Sequence, residues 1–303
     1  MKCSITPENL ADMYRLNGTG VALVTPMLAN GEIDFPSLKK LLQHTSKTDY
    51  YVVMGTTGES ATLEDDEKRK VLDFVLQHNK KELPVVYGIG GNNTSDVLKR
   101  LDSVRGLPLT AIMSVCPYYN KPSQEGIYKH FSLVADRAPA PLVLYNVPGR
   151  TSVNMTANTT VRLAAHGNIT AIKEASGNIE QAIRILAEAQ STFRLISGDD
   201  MLTVPLMSVG AVGVISVLAN AFPSPFSKMT AAALSGQFKK AANYQLLFNR
   251  INALMYEEGN PSGIKEVLAQ MGIIQNHARL PMAPVSEALS KKIQQALVEI
   301  KKG

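Results

Sequence analysis

Apolar residues along the chain follow two alternating patterns. Short runs rich in β-branched residues are separated by longer stretches in which apolar positions return every three or four residues. The short runs are GVALVTP from Gly20, YYVVMG from Tyr50, PVVYGIG from Pro84, TAIMSVC from Thr110, PLVLYNVP from Pro141, ITAIKEAS from Ile169, FRLISGDD from Phe193 and AVGVISV from Ala211. Bounded by Gly, Pro, Ser, Asn or Asp, they read as buried parallel strands. The clearest helical stretches are Ser37 to Thr45 and Glu64 to Asn79, the second with acidic residues in its first turn. A hydroxyl such as Thr62 is the expected cap of that helix.

Eight strands, each followed by a helical stretch, occupy roughly residues 18 to 240 and predict an α/β fold, a (β/α)8 TIM barrel. The competing architecture is an open doubly wound sheet. Its G-x-G-x-x-G turn after a first strand is missing, and GIGG at Gly88 to Gly91 is only a partial match. After the eighth strand the pattern is helical only. The expected organisation is an N-terminal extension over 1–17, a catalytic barrel over 18–240 and a C-terminal helical region over 241–303.

Composition narrows the function classes. The 303 residues are 45% hydrophobic and 19% charged, as in globular proteins, with a net charge of +5. The basic residues are scattered, with no stripe or aromatic platform, so no nucleic-acid partner is expected. The start, MKCSITPENLADMYRLNG, has no apolar signal segment, and no apolar run approaches a membrane span. Two cysteines, Cys3 and Cys116, offer neither a disulfide framework nor zinc spacing. A cytoplasmic protein without a membrane partner is expected.

In a barrel of this kind the active site forms at the C-terminal strand ends. There the sequence places GTTGES (Gly55 to Ser60), CPYYNKPSQEG (Cys116 to Gly126), YNVPGRT (Tyr145 to Thr151), Lys173-Glu174, SGDD (Ser197 to Asp200) and GVISV (Gly213 to Val217). Lys173 stands out as the lysine in a strand-like run. It either pairs with a carboxylate, Glu174 or Asp199, or serves as an imine-forming amine, since desolvation favours the neutral nucleophile. Strand alternation points Glu174 away from Lys173. GTTGES offers amides and two threonine hydroxyls to a small carboxylate, or is an ordinary helix start. Tyr145 is a core residue or a proton carrier, and Arg150 a surface residue or a carboxylate clamp. Tyr118-Tyr119 suggest an interface or pocket wall. The five histidines are dispersed without ligand spacing, so no metal is expected.

In this order, GTTGES, PYYNKPSQEGIYKHF, LYNVPGRT, IKEASGN, SGDD and GVISV strongly resemble the pyruvate-dependent lysine aldolases, the dihydrodipicolinate synthase/N-acetylneuraminate lyase family. The resemblance is collinear from about Gly18 to about Pro284. It implies that Lys173 forms an imine with pyruvate, that Tyr145 shuttles protons, and that Thr56 links Tyr145 to Tyr119 in a relay. It also implies that Thr56 and Thr57 hold the pyruvate carboxylate, and that Gly198 and Ile215 line the substrate pocket. In the family the residue matching Tyr119 crosses into the neighbouring subunit's site, which implies a homotetramer, a dimer of dimers. No cofactor is implied beyond the covalent imine.

Arg150 and the ATL that follows GTTGES resemble the synthase branch. That branch condenses pyruvate with L-aspartate-4-semialdehyde to 4-hydroxy-tetrahydrodipicolinate in lysine and diaminopimelate biosynthesis. The alternatives are a lyase of a sialic acid or 2-keto-3-deoxy sugar acid, and a non-catalytic binding relative. NPSGIKEVL, Asn260 to Leu268, departs from the family's pattern and is expected to lie far from the chemistry. Positions matching the family's lysine-feedback site include Ser60, Ala61, Asn92, Asp96 and Tyr118. Asp65 and Lys68 stand where lysine-sensitive relatives tend to carry histidines, so weak or absent lysine inhibition is expected.

Overall fold

A computed structural model describes residues 16–300. Most of the expected N-terminal extension, including Cys3, lies outside the described residues. The eight predicted runs form β1 (Gly18–Ala22), β2 (Tyr50–Val53), β3 (Val85–Gly88), β4 (Ala111–Val115), β5 (Leu142–Asn146), β6 (Ile169–Glu174), β7 (Arg194–Ser197) and β8 (Gly213–Ser216). They close in sequence order into a parallel barrel, so the (β/α)8 expectation holds. The strands are buried almost throughout, because a parallel sheet is covered on both faces.

The chain divides into two compact units. One comprises Pro84–Ile215 with the described residues up to Gly18, and the other comprises Thr19–Leu83 with Ser216 onward. In the first unit, successive strands pair in parallel from β3 onward. Their connections carry α3 (Thr94–Asp102), α4 (Gln124–Arg137), the short turn α5 (Pro148–Thr151), α6 (Ala157–Ala164), α7 (Ile179–Glu188) and α8 (Thr203–Ser208). Side-chain caps start four of these helices: Asn93, Ser123, Thr156 and Asn178 each accept a first-turn backbone N–H.

The second unit holds β1, β2, α1 (Phe35–His44) and α2 (Asp65–His78). It also holds the C-terminal helices α9 (Pro223–Leu234), α10 (Phe238–Leu246), α11 (Asn249–Glu257), α12 (Ser262–Gln270) and α13 (Glu287–Ile300). Gly20 makes room for the buried Tyr50 ring, which a Cβ at residue 20 would overlap at 2.1 Å. The cap of α2 differs from expectation. Glu64 and Glu67 form a reciprocal capping box, while the Thr62 hydroxyl donates to the Glu59 carbonyl at 3.1 Å. A carboxylate satisfies the same orphan amides as a hydroxyl and adds charge at the positive helix end.

Candidate active site

In the first unit the site is set by the pairing of β5 with β6. Their register places Tyr145 opposite Lys173 and Asn146 opposite Glu174. Lys173 is 5% exposed, and its Nζ stands 4.2 Å from the centre of the Tyr145 ring. The tyrosine therefore walls one side of the amine. Gly198, just after β7, makes room for the lysine stem. A Cβ there would stand 2.6 Å from the Ala175 Cβ and 3.1 Å from both Cγ and Cε of Lys173.

Neither candidate carboxylate serves as the lysine's counter-ion. Glu174 points to the helix layer, as alternation requires, and is buried among neutral donors. It accepts from the Ser176 N–H (2.7 Å), Gln181 Nε2 (3.1 Å) and Asn146 Nδ2 (3.1 Å). Asp199 accepts from the Met201 N–H at 2.8 Å. Asn146 also donates to Asn154 Oδ1 (2.8 Å) and accepts the Met155 N–H (3.0 Å), which ties the Arg150-bearing loop to the strand end. Asn146, Asn154 and Gln181 were not legible as site residues. Glu174 itself, a carboxylate in a buried run, was their only signal.

Arg150 lies exposed on α5, and Ile215 is buried in β8. Tyr119 is 89% exposed with φ +72°, a left-handed conformation that costs a non-glycine residue of order 1 kcal/mol or more. Cys116 leads into its loop, its N–H donating to the Tyr145 carbonyl at 2.9 Å. Burial, and then the Glu174 charge, push the Cys116 thiol up to about 12, in keeping with an inert filler.

In the second unit, Thr56–Gly58 form a single 3-10 turn directly after β2. The Gly58 and Glu59 amides close it onto the Gly55 and Thr56 carbonyls at 3.1 and 3.0 Å. Thr25 Oγ1 donates to the Gly58 carbonyl at 2.7 Å. Thr57 is buried, and its Oγ1 accepts from Asn260 Nδ2 at 3.1 Å. Glu59 follows in the left-handed region (φ +56°), and its carboxylate forms a fully buried ion pair with Lys265.

The expectation for NPSGIKEVL is therefore corrected. Asn260 bonds Thr57, and Lys265 bonds the residue that ends the GTTG turn. A helical pattern reveals which face is buried but not what it is buried against, and a helical lysine reads as solvated. The usable signal was a lysine inside the small and apolar run SGIKEVLA. Lys68, expected to repel a cationic ligand, pairs with Asp65 at 2.9 Å. Among the described residues, no group of three or more His, Cys, Asp or Glu side chains is arranged to hold a metal ion.

The architecture is a (β/α)8 barrel with a buried lysine at the end of β6. Residues 15–300 match the model of the Dihydrodipicolinate synthetase family, and the chain belongs to that family. It is 47% identical over 290 residues to the 4-hydroxy-tetrahydrodipicolinate synthase of Cytophaga hutchinsonii, covering 95% of this chain and 98% of that one. Among solved structures, it resembles a chloride-inhibited dihydrodipicolinate synthase from Acinetobacter baumannii complexed with pyruvate. The TM-score is 0.92 at 36% identity, covering 94% of this chain and 99% of that one. A monomeric dihydrodipicolinate synthase variant also matches with TM-score 0.92 at 36% identity, covering 95% and 98% of the two chains.

Proposed function

We propose that this chain condenses pyruvate with L-aspartate-4-semialdehyde to give 4-hydroxy-tetrahydrodipicolinate, a step of lysine and diaminopimelate biosynthesis. The observation that carries the reading is Lys173, a buried amine at the end of β6 with the Tyr145 ring beside it and Gly198 clearing its path. Near-full-length identity to synthases supports the choice of substrates.

In this reading Lys173 Nζ adds to C2 of pyruvate and water leaves, giving an iminium. The cation acidifies the C3 protons, and loss of one gives an enamine. Its C3 attacks the aldehyde carbon of aspartate-semialdehyde. The amino group of that substrate then attacks C2, closes the ring and displaces Lys173. The electron sink throughout is the iminium nitrogen, so the route calls on no metal or organic cofactor. Tyr145 carries the protons, with Thr56 and Tyr119 completing its relay. Thr56 and Thr57 receive the pyruvate carboxylate, Arg150 receives that of the second substrate, and Gly198 and Ile215 line the pocket.

We further propose a cytoplasmic homotetramer in which Tyr119 crosses into a neighbouring site. Its exposed ring and left-handed backbone support this. So do the exposed isoleucines Ile179 and Ile183, one turn apart on α7. Sedimentation at micromolar concentration tests the assembly, a monomer refuting it. For the substrates, aspartate-semialdehyde and N-acetylneuraminate are assayed side by side. Turnover of the former alone is expected, and turnover of the latter alone moves the chain to the lyase branch.

A further inference from the structure

The GTTGES turn is short and follows soon after β2, yet the side-chain partners of Thr57 and Glu59 come from the far end of the chain. Asn260 Nδ2 donates to Thr57 Oγ1. Lys265 pairs with Glu59, and both side chains are almost completely removed from solvent. The segment from His277 to Arg279 closes over this pair on both sides. Lys265 Nζ donates to the His277 carbonyl at 2.8 Å, and the Arg279 N–H donates to Glu59 Oε1 at 3.1 Å. The Arg279 side chain then reaches past the turn. Its Nε donates to the Gly31 carbonyl (2.8 Å), its Nη1 to the Thr62 carbonyl (3.0 Å), and its guanidinium forks onto Glu67.

A buried ion pair is a poor way to gain stability alone, because desolvation offsets most of the attraction and an apolar pair of similar size does as well. What it supplies is direction. The carboxylate has one place to go, and Glu59 is the residue at which the chain leaves the 3-10 turn in a left-handed conformation. Fixing the Glu59 side chain fixes the end of the turn, and fixing Thr57 Oγ1 fixes its middle.

We propose that Lys265, Glu59 and Arg279 are positioning residues for pyruvate. Reaching from the C-terminal helical region, they set the placement of Thr56 and Thr57 without touching substrate themselves. The proposal rests on the reading that this turn receives the pyruvate carboxylate. A merely structural pair would affect folding and both substrates alike.

The test uses Glu59→Met with Lys265→Met as a double variant, which removes both charges together and strands neither. The readouts are thermal melting, the KM for each substrate, and the pyruvate concentration giving half-maximal borohydride-trapped adduct. The expected result is a folded protein whose melting point falls, because the His277 carbonyl and the Arg279 N–H lose their partners, with the half-trapping concentration and the KM for pyruvate raised roughly tenfold, the scale of a binding group displaced by under an ångström. The KM for aspartate-semialdehyde stays within about twofold on the same reasoning. Should the double variant not fold, Arg279→Lys is read instead; it keeps the charge but loses the fork, and a rise of about threefold confined to pyruvate is expected. Unchanged pyruvate binding, or equal losses for both substrates, overturns the proposal. Thr57→Val is the control. If it leaves pyruvate binding intact, the reading of the turn falls first and the positioning role with it. If it weakens pyruvate while the folded double variant does not, only the positioning role falls.

Discussion

Gly198→Ala adds one methyl group to the candidate site, and the structure fixes what that methyl meets. The new Cβ would lie 2.6 Å from the Ala175 Cβ and 3.1 Å from Lys173 Cγ and Cε. Carbon atoms rest at about 3.5–4.0 Å, so the first contact must open by about 1 Å and the two lysine contacts by about 0.5 Å. The Ala175 Cβ is held on the backbone that follows β6 and yields only with that backbone, whereas the lysine stem can swing, so relief of the two lysine contacts displaces Nζ. Overpacking of this kind costs about 1–3 kcal/mol of stability. Displacing a reacting nitrogen by half an ångström to one ångström lowers the rate of adduct formation by about ten- to a hundredfold. The assay is the rate of borohydride-trapped adduct formation at saturating pyruvate, with a denaturant melt on the same sample. A folded Gly198→Ala protein that forms adduct at the parental rate would refute the placement of Gly198 against Lys173.

The other predictions concern the surroundings of that lysine. Glu174→Ala leaves the Ser176, Asn146 and Gln181 donors without their acceptor and lowers stability by about 2–4 kcal/mol in equilibrium denaturation, and Glu174→Gln, which keeps a carbonyl acceptor, costs less than half of that. Equal losses for the two variants contradict the network. The Arg279 hydrogen bonds hold the Glu67 carboxyl down to about 2 from its usual 4.5, so its contribution is full above pH 4.5 and is lost as pH falls toward 2. The melting-point gap between the parent and Glu67→Gln therefore closes over that window, and a constant gap refutes the linkage. Activity titrated with lysine falls little, because Lys68 adds a cation beside the ligand's own, although its Asp65 pairing blunts the effect. Full inhibition at submillimolar lysine contradicts this.

The sequence carried the barrel and its lysine because both rest on local rules. Short β-branched runs alternating with helical stretches fit the strands of a parallel sheet, and period-two alternation sends Glu174 away from Lys173. Cap chemistry was partly legible: acidic residues marked the start of α2, but the capping group is the Glu64 carboxylate and not a hydroxyl. What escaped was long-range pairing. Asn260 and Thr57 lie 203 positions apart, and nothing in either local pattern announces the other. Lys265 escaped for a related reason. Its partner Glu59 sits in GTTGES, where it reads as a solvated loop residue, so both halves of a buried ion pair resemble surface charges until the chain is folded. The neutral ring around Glu174 is the same case, with Asn154 and Gln181 supplied by a loop and by α7.

Everything proposed for the site depends on Lys173 bonding covalently to pyruvate. Incubation with pyruvate and borohydride, followed by intact-mass measurement and peptide mapping, tests it directly. One adduct per chain is expected, mapped to Lys173 and lost in Lys173→Arg. An adduct on a different lysine, or none at saturating pyruvate, contradicts it.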